Sequence, residues 1–234
     1  MIAVGLQFGF AVRLQLMKVP VKSASSARAE VTETRIVAAA SELFVERGYR
    51  GTTMSDVARA AGVSERTVYV RFATKADLLK RAIDVAVVGD TQLVGLSRRD
   101  WAIAAMSAPT LEERLRADAS GSTALFVRLA PLVAVAAQVE ADEPIIAESA
   151  RSGRQGTFAH QRKFWSNLRA AGLMNPDSDV DWVIATAGLA GTSEVYLSMI
   201  RTTTWTSEDY ERWRYRTWWL LATTSGPARE IPTI

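Results

Sequence analysis

The stretch Thr52–Leu79, TTMSDVARAAGVSERTVYVRFATKADLL, decides how this chain folds. Three helix starts stand in it at short intervals. Thr53 precedes Met54, with Asp56 three residues on; Ser64 precedes Glu65 and Arg66; Thr74 precedes Lys75, with Asp77 three residues on. A Thr or Ser so placed accepts from an orphan N–H of the first helical turn, and an acid three residues later can return the bond to the cap. Between the first two starts sits Ala61–Gly62–Val63, where glycine permits the tight turn that joins two helices. The segment therefore reads helix, tight turn, short helix, new helix. Val57, Ala58, Ala61, Val63 and Val68 are the small apolar groups that glue the pair, and Phe72 seals the bottom. The short helix exposes Glu65, Arg66 and Thr67 near its start, positions that face base edges when such a helix enters the major groove. Arg66 suits guanine O6 and N7, and Glu65 can accept from cytosine N4. Any solvated helix start carries similar residues, so the pattern alone leaves DNA binding and plain surface both open.

Upstream, Ile36, Val37, Ala40, Leu43 and Phe44 recur at three- and four-residue spacing and predict a helix from Thr34, stopped by Gly48. Tyr49 is placed to fold back onto its end. Lys18–Glu30 has no periodicity and reads as a flexible arm. Met1–Met17 is apolar but interrupted by Arg13, with no basic residue before it, unlike a secretory leader, and it is short for a membrane span. Met17 is an alternative start.

Downstream, Leu78, Leu79, Ala82, Ile83 and Ala86 give the helix from Thr74 one apolar side, and a boundary is expected near Gly89–Gly95. The spacing then predicts a short helix from Asp100 to Met106, and one capped by Thr110, with Glu112 and Glu113 in its first turn and a kink near Gly121 or Pro131. A long helix opens at Pro144 and ends at Gly172; an apolar one runs from Asp179 or Asp181 to about Arg201; the last opens at Thr206 or Ser207. No hairpin, repeat or further membrane-spanning stretch is expected. Three units follow: an extension over 1–30, a helix-turn-helix unit over 31–90, and a helical body over 91–234.

The 234 residues are 48% hydrophobic and 23% charged, enough for a sizeable core. There is no cysteine, which excludes disulfides and thiolate chemistry, and the single histidine, His160, makes a multi-histidine metal site hard to build. Asp177, Asp179 and Asp181 alternate like the start of a calcium loop, but Trp182 and Gly188 stand where that loop needs glycine and glutamate. Helix capping accounts for them better, and neither metal nor cofactor is expected. The net charge of +3 is uneven: residues 1–90 carry +4 and residues 91–234 carry −1. The basic front suits an anionic partner.

The run TRIVAAASELFVERGYRGTT followed by GVSERTVYVRFATKADLL resembles the N-terminal domain of the tetracycline-repressor (TetR) family, over about 50 residues. The resemblance implies an all-α protein: a three-helix helix-turn-helix domain, then a C-terminal helical bundle that binds an effector and dimerises. It implies a cytoplasmic homodimer that binds double-stranded DNA and answers to a small molecule, without stable membrane association. It also implies phosphate contacts from Thr53, Tyr69 and Lys75, and a phosphate or base contact from Thr67 beside Ser64. Val70 departs from the aromatic or basic residue usual there, which puts one backbone contact in doubt; Arg71 either compensates or is solvated. Arg50, Lys22 and Arg28 are candidates for further contacts. In the body, Trp101, Phe126, Phe158, Trp165 and Tyr196, with Arg128, Gln138 and His160, are candidates for an effector pocket. Trp182, Leu189, Trp213 and Leu220 are candidates for the dimer interface. Each has an alternative as ordinary packing. A helical enzyme and a membrane-associated helical protein are the competing functions; a Walker loop, a dinucleotide fingerprint and a nucleophile elbow are all missing from the sequence.

Overall fold

The computed structural model describes residues 24–89 and 96–225, and among these every regular element is helical. Met1–Met17, Lys22 and most of the expected boundary at Gly89–Gly95 lie outside the described residues.

The first helix, α1 (Ala24–Gly51), starts ten residues before Thr34, so the flexible-arm reading is corrected for Ala24–Glu30. Periodicity missed this turn because little of it is buried: Ala27, Arg28 and Glu30 are exposed, and the helix continues there without an apolar face. Gly48 takes φ 73°, and beyond it Tyr49 stacks on Phe44 with ring centroids 6.0 Å apart. α2 (Met54–Ala61), α3 (Glu65–Arg71) and α4 (Lys75–Val88) begin at Thr53, Ser64 and Thr74, each accepting from the backbone N–H three residues on. Thr53 and Thr74 form full capping boxes with Asp56 and Asp77. Ile36, Ala40, Phe44, Val57, Ala58, Val68 and Leu78 form the core of this front unit. That core does not stop at residue 90. Leu132, Val135, Ala136, Val139 and Ile146 of the body complete it.

A short 3-10 turn (Leu96–Arg98) leads into α5 (Asp100–Ser107), α6 (Leu111–Ala137) and α7 (Pro144–Ala170). α6 is the axis of the body and touches α1, α4, α5, α7, α9 and α10. It runs unbroken as a helix through Gly121 and Pro131. It is also long and apolar enough to cross a membrane, contrary to the expectation that no such stretch exists. Most of that apolar window is buried, as a central core helix requires.

The expected helix from Asp179 to Arg201 is two helices. α8 (Val180–Ala190) ends at Gly191, and Thr192 caps α9 (Ser193–Thr202), with a 55° bend between them. The Gly191–Thr192–Ser193 sequence, a stop followed by a cap, was the overlooked signal. Thr206 caps α10 (Ser207–Thr223), which packs on α6.

Candidate nucleic-acid interface and internal cavity

At the front, the turn between α2 and α3 is held from behind. Gly62 adopts φ 64° and returns its N–H to Ala58 and Arg59. Arg35 of α1 donates to the Ala61 carbonyl at 2.6 Å, and buried Thr52 donates to Leu43 and Gly48. Arg71, an exposed residue, pairs with Glu33 at 3.7 Å, and Arg81 donates to the same carboxylate at 2.9 Å.

On the exposed side, the sequence-predicted residues divide. Arg66 is exposed and has no partner among the described residues. Tyr69 is 53% exposed and Val70 74% exposed. Glu65 accepts from Ser55 at 2.7 Å, which ties α3 to α2 and leaves one carboxylate oxygen for other use. Ser64 and Thr67 hydrogen-bond to each other at 2.8 Å, and Thr53 donates to Asp56 at 2.6 Å. Lys75 departs most from its expected role as a phosphate contact. Its ammonium donates to the carbonyls of Tyr49 (2.7 Å) and Thr52 (2.9 Å) and lies 4.3 Å from the Tyr49 ring centroid. Burial pushes its pKa below the usual lysine value. Lys75 thus acts as an internal strut, its ammonium engaged by two carbonyls of the chain.

Tyr49 continues the strut into the body. Its hydroxyl donates to Glu143 at 2.8 Å, and burial together with this carboxylate raises its pKa. Glu143 immediately precedes Pro144, the first residue of α7. No sequence pattern linked these residues, which stand 94 positions apart.

Behind this junction lies a cavity of about 320 Å³. Ile83 and Val87 of α4 form one wall, Leu125, Phe126 and Leu129 another, and α7 a third. Its walls are mainly apolar, as small-molecule pockets usually are. Of the predicted pocket residues, Trp101 and Phe126 line it, and so does His160. The other five do not. Trp165 is fully buried between Phe164 and Trp218 and donates to Gln161 at 3.0 Å. Tyr196 packs edge-on against Tyr210 in the core. Phe158 crosses Gly188, where an added Cβ would lie 2.4 Å from its ring. Helical periodicity placed Trp165 and Tyr196 on inward faces without distinguishing core from cavity, whereas Phe158 is 38% exposed. Gln138 and Arg128 lie instead over Gly48 and Gly89, outside the cavity lining.

Sequence reasoning missed the polar end of the site. Arg214 and Asp118 are both buried and paired, with Nε 2.9 Å from Oδ2. Burial alone would raise the Asp118 pKa, but Arg214 and His160 together hold it below the usual carboxylate value. The other Asp118 oxygen stands 3.6 Å from His160 Nε2 and makes no hydrogen bond. The available signal was a charge inside a buried stripe: Arg214 sits at helical spacing between Tyr210 and Trp218.

The dimer candidates also separate. Leu189 (66%) and Leu220 (60%) are exposed, Trp182 is partly exposed, and Trp219 joins them. Trp213 is partly buried and packs on Tyr210 and Trp218. Among the described residues, no three His, Cys, Asp or Glu side chains gather as metal ligands.

Residues 36–82 match the model for bacterial regulatory proteins of the tetR family. The chain is 40% identical over 62 residues to the HTH-type transcriptional activator FasR of Mycolicibacterium smegmatis, covering 25% of this chain and 28% of that protein. It is 38% identical over 56 residues to the HTH-type transcriptional regulator TtgR of Pseudomonas putida, covering 24% and 27%. These matches span only about a quarter of the relatives' length. Similarity of fold extends further. MexZ of Pseudomonas aeruginosa, described as a key repressor responsible for antibiotic resistance, superimposes with a TM-score of 0.54 at 21% identity, covering 83% of this chain and 96% of MexZ. GusR of Salmonella enterica gives 0.55 at 21% identity, covering 82% and 95%.

Proposed function

The chain belongs to the TetR family of DNA-binding transcriptional regulators, and from that premise we propose that it is a cytoplasmic homodimeric repressor of a palindromic operator, released by a small molecule. The observation that carries the reading is the course of α4. Its first turns are packed into the front unit through Ala76, Leu78 and Leu79, and its later residues Ile83 and Val87 form a wall of the cavity. One rigid element thus touches both the DNA-facing unit and the ligand space.

A ligand shifts an equilibrium only by binding one state better than the other. Filling the cavity moves α4 and, through it, the spacing of the two α3 helices in the dimer. Those must stand about 34–36 Å apart to engage successive half-sites. The Tyr49–Glu143 bond gives α7 a second hold on the front unit. In the dimer, α8 and α10 meet their mates through the apolar residues they leave exposed, Trp182, Leu189, Trp219 and Leu220.

Selection of bound sequences from random duplexes tests this. The expected product is an inverted repeat with half-sites one helical turn apart, bound with an affinity that falls steeply as salt rises. Recovery of no enriched sequence, or a salt-independent affinity, counts against the proposal.

A further inference from the structure

Two side-chain donors meet at the polar end of the cavity. Gln161 is almost fully buried, and its amide orientation follows from chemistry: the Trp165 indole N–H can only donate, so the Gln161 oxygen must accept it. The Gln161 Nε2 is left facing the other way, with no partner among the described residues. Arg214 Nη1 converges on the same place. Measured from where a Cβ on cavity-lining Gly191 would sit, Gln161 Nε2 lies at 3.1 Å and Arg214 Nη1 at 3.3 Å, with the Ala187 carbonyl oxygen, which accepts from the Gly191 N–H, at 2.7 Å. The Ser122 hydroxyl, buried in the adjoining wall, also makes no hydrogen bond within the described chain. Two fixed donors and a hydroxyl thus border one space, and no protein acceptor serves the Gln161 amide. A buried amide left so is costly unless something completes its bonds.

Charge narrows the choice of acceptor. Asp118 already neutralises Arg214 inside the same buried cluster, and one of its oxygens has no hydrogen bond. A ligand carboxylate would add a second anion beside Asp118 without a second buried cation, and an ammonium would meet donors. A neutral carbonyl oxygen satisfies the donors and leaves the ion pair undisturbed. The wall from Ile83 to Leu129 offers mainly apolar contact to the remainder of the molecule, and the charged pair on the lining, Arg154 and Glu194, stands at the solvent side with Arg154 already held by Glu140 at 2.6 Å. Gly153 and Gly156 of α7 line the cavity and are exposed, and a Cβ on either would meet nothing within 4 Å, which leaves that wall open as an entrance.

We propose that the cavity binds an uncharged, mainly apolar molecule that presents a carbonyl oxygen to Gln161 Nε2, Arg214 and Ser122. The assignment rests on the reading of the body as the effector-binding unit.

The test titrates the full chain, free of DNA, with 2-decanone, decanoate and decylammonium, following tryptophan fluorescence, since Trp101 lines the cavity. 2-Decanone is expected to bind saturably and at least about tenfold more tightly than either charged analogue. Gln161→Glu keeps an oxygen for Trp165 but replaces the free donor with an acceptor, and should weaken 2-decanone about tenfold. Ser122→Ala, which disturbs packing least, should weaken it by about three- to fivefold. Equal or tighter binding of decanoate or decylammonium overturns the assignment. So does an absence of saturable 2-decanone binding, or an unchanged affinity in both variants with the wild-type Tm retained. DNA binding measured separately distinguishes the two readings. Saturable ketone binding that leaves operator affinity unchanged upholds the cavity chemistry and sinks effector release. Release by a charged analogue alone does the reverse.

Discussion

Arg66 projects from α3 without a partner among the described residues, while its neighbours Ser64, Glu65 and Thr67 are engaged with the protein itself. A guanidinium free to make two parallel hydrogen bonds is the side chain best suited to read guanine. Arg66→Ala should therefore relax preference at one base pair, at a cost of roughly 1–3 kcal/mol, measured on an operator series varied at each position. A wild-type preference at every position would remove Arg66 from base reading. Lys75 leads to a different expectation. Its ammonium is spent on two backbone carbonyls and an aromatic face, so Lys75→Met should lower folding stability by about 1–3 kcal/mol in chemical denaturation. Loss of DNA affinity with unchanged stability would restore the phosphate contact as its main role.

At the scale of elements, the front unit is defined by caps and one turn. Each of α2, α3 and α4 is too short to be stable alone, and each start is pinned by a Thr or Ser that accepts from the backbone three residues on. The turn between α2 and α3 depends on Gly62, whose positive φ suits glycine and whose missing Cβ leaves room for Arg35 Nη2 at 2.7 Å. Gly62→Ala forces a side chain into the left-handed region and displaces that guanidinium. We expect a loss of about 1–2 kcal/mol from the backbone alone, read as a lower denaturation midpoint. These starts were legible in Thr53, Ser64, Thr74 and Gly62 because caps and turns are local chemistry. The break between α8 and α9 was written in the same code at Gly191–Thr192, but the apolar run on either side of it masked the stop.

For the whole molecule, the buried Asp118–Arg214 pair joins α6 to α10 and couples stability to acidity. The folded Asp118 titrates below the ordinary carboxylate, so its stabilisation is complete above a pH of about 3.9 and is lost as pH falls through the lower folded value. Asp118→Asn leaves Arg214 buried without its counter-ion and should cost about 3–5 kcal/mol at neutral pH. It should also flatten the acid limb of a stability-against-pH curve; an unaltered acid limb would assign that limb to other groups. Assembly is tested on the outside of the same bundle. Leu220→Glu places a charge on the exposed apolar face of α10 and should shift the molecule towards monomer in sedimentation, with operator affinity falling in parallel. An unchanged dimer would move the interface elsewhere.

Composition, helical periodicity and capping residues were enough to establish an all-helical chain with a helix-turn-helix near its front, because those signals lie within a few residues of one another. Burial and pairing across the chain were not recoverable that way. Trp165 and Trp101 look alike as aromatic residues on inward helix faces, yet one fills the core and the other lines a cavity. Lys75 has the local setting of a surface cation, yet its ammonium is claimed by carbonyls more than twenty residues earlier. Asp118 and Arg214 meet across 96 positions, and Tyr49 and Glu143 across 94. Such contacts depend on how helices pack, which is set by the sum of many weak apolar contacts over the whole chain, and no short window of sequence contains that sum.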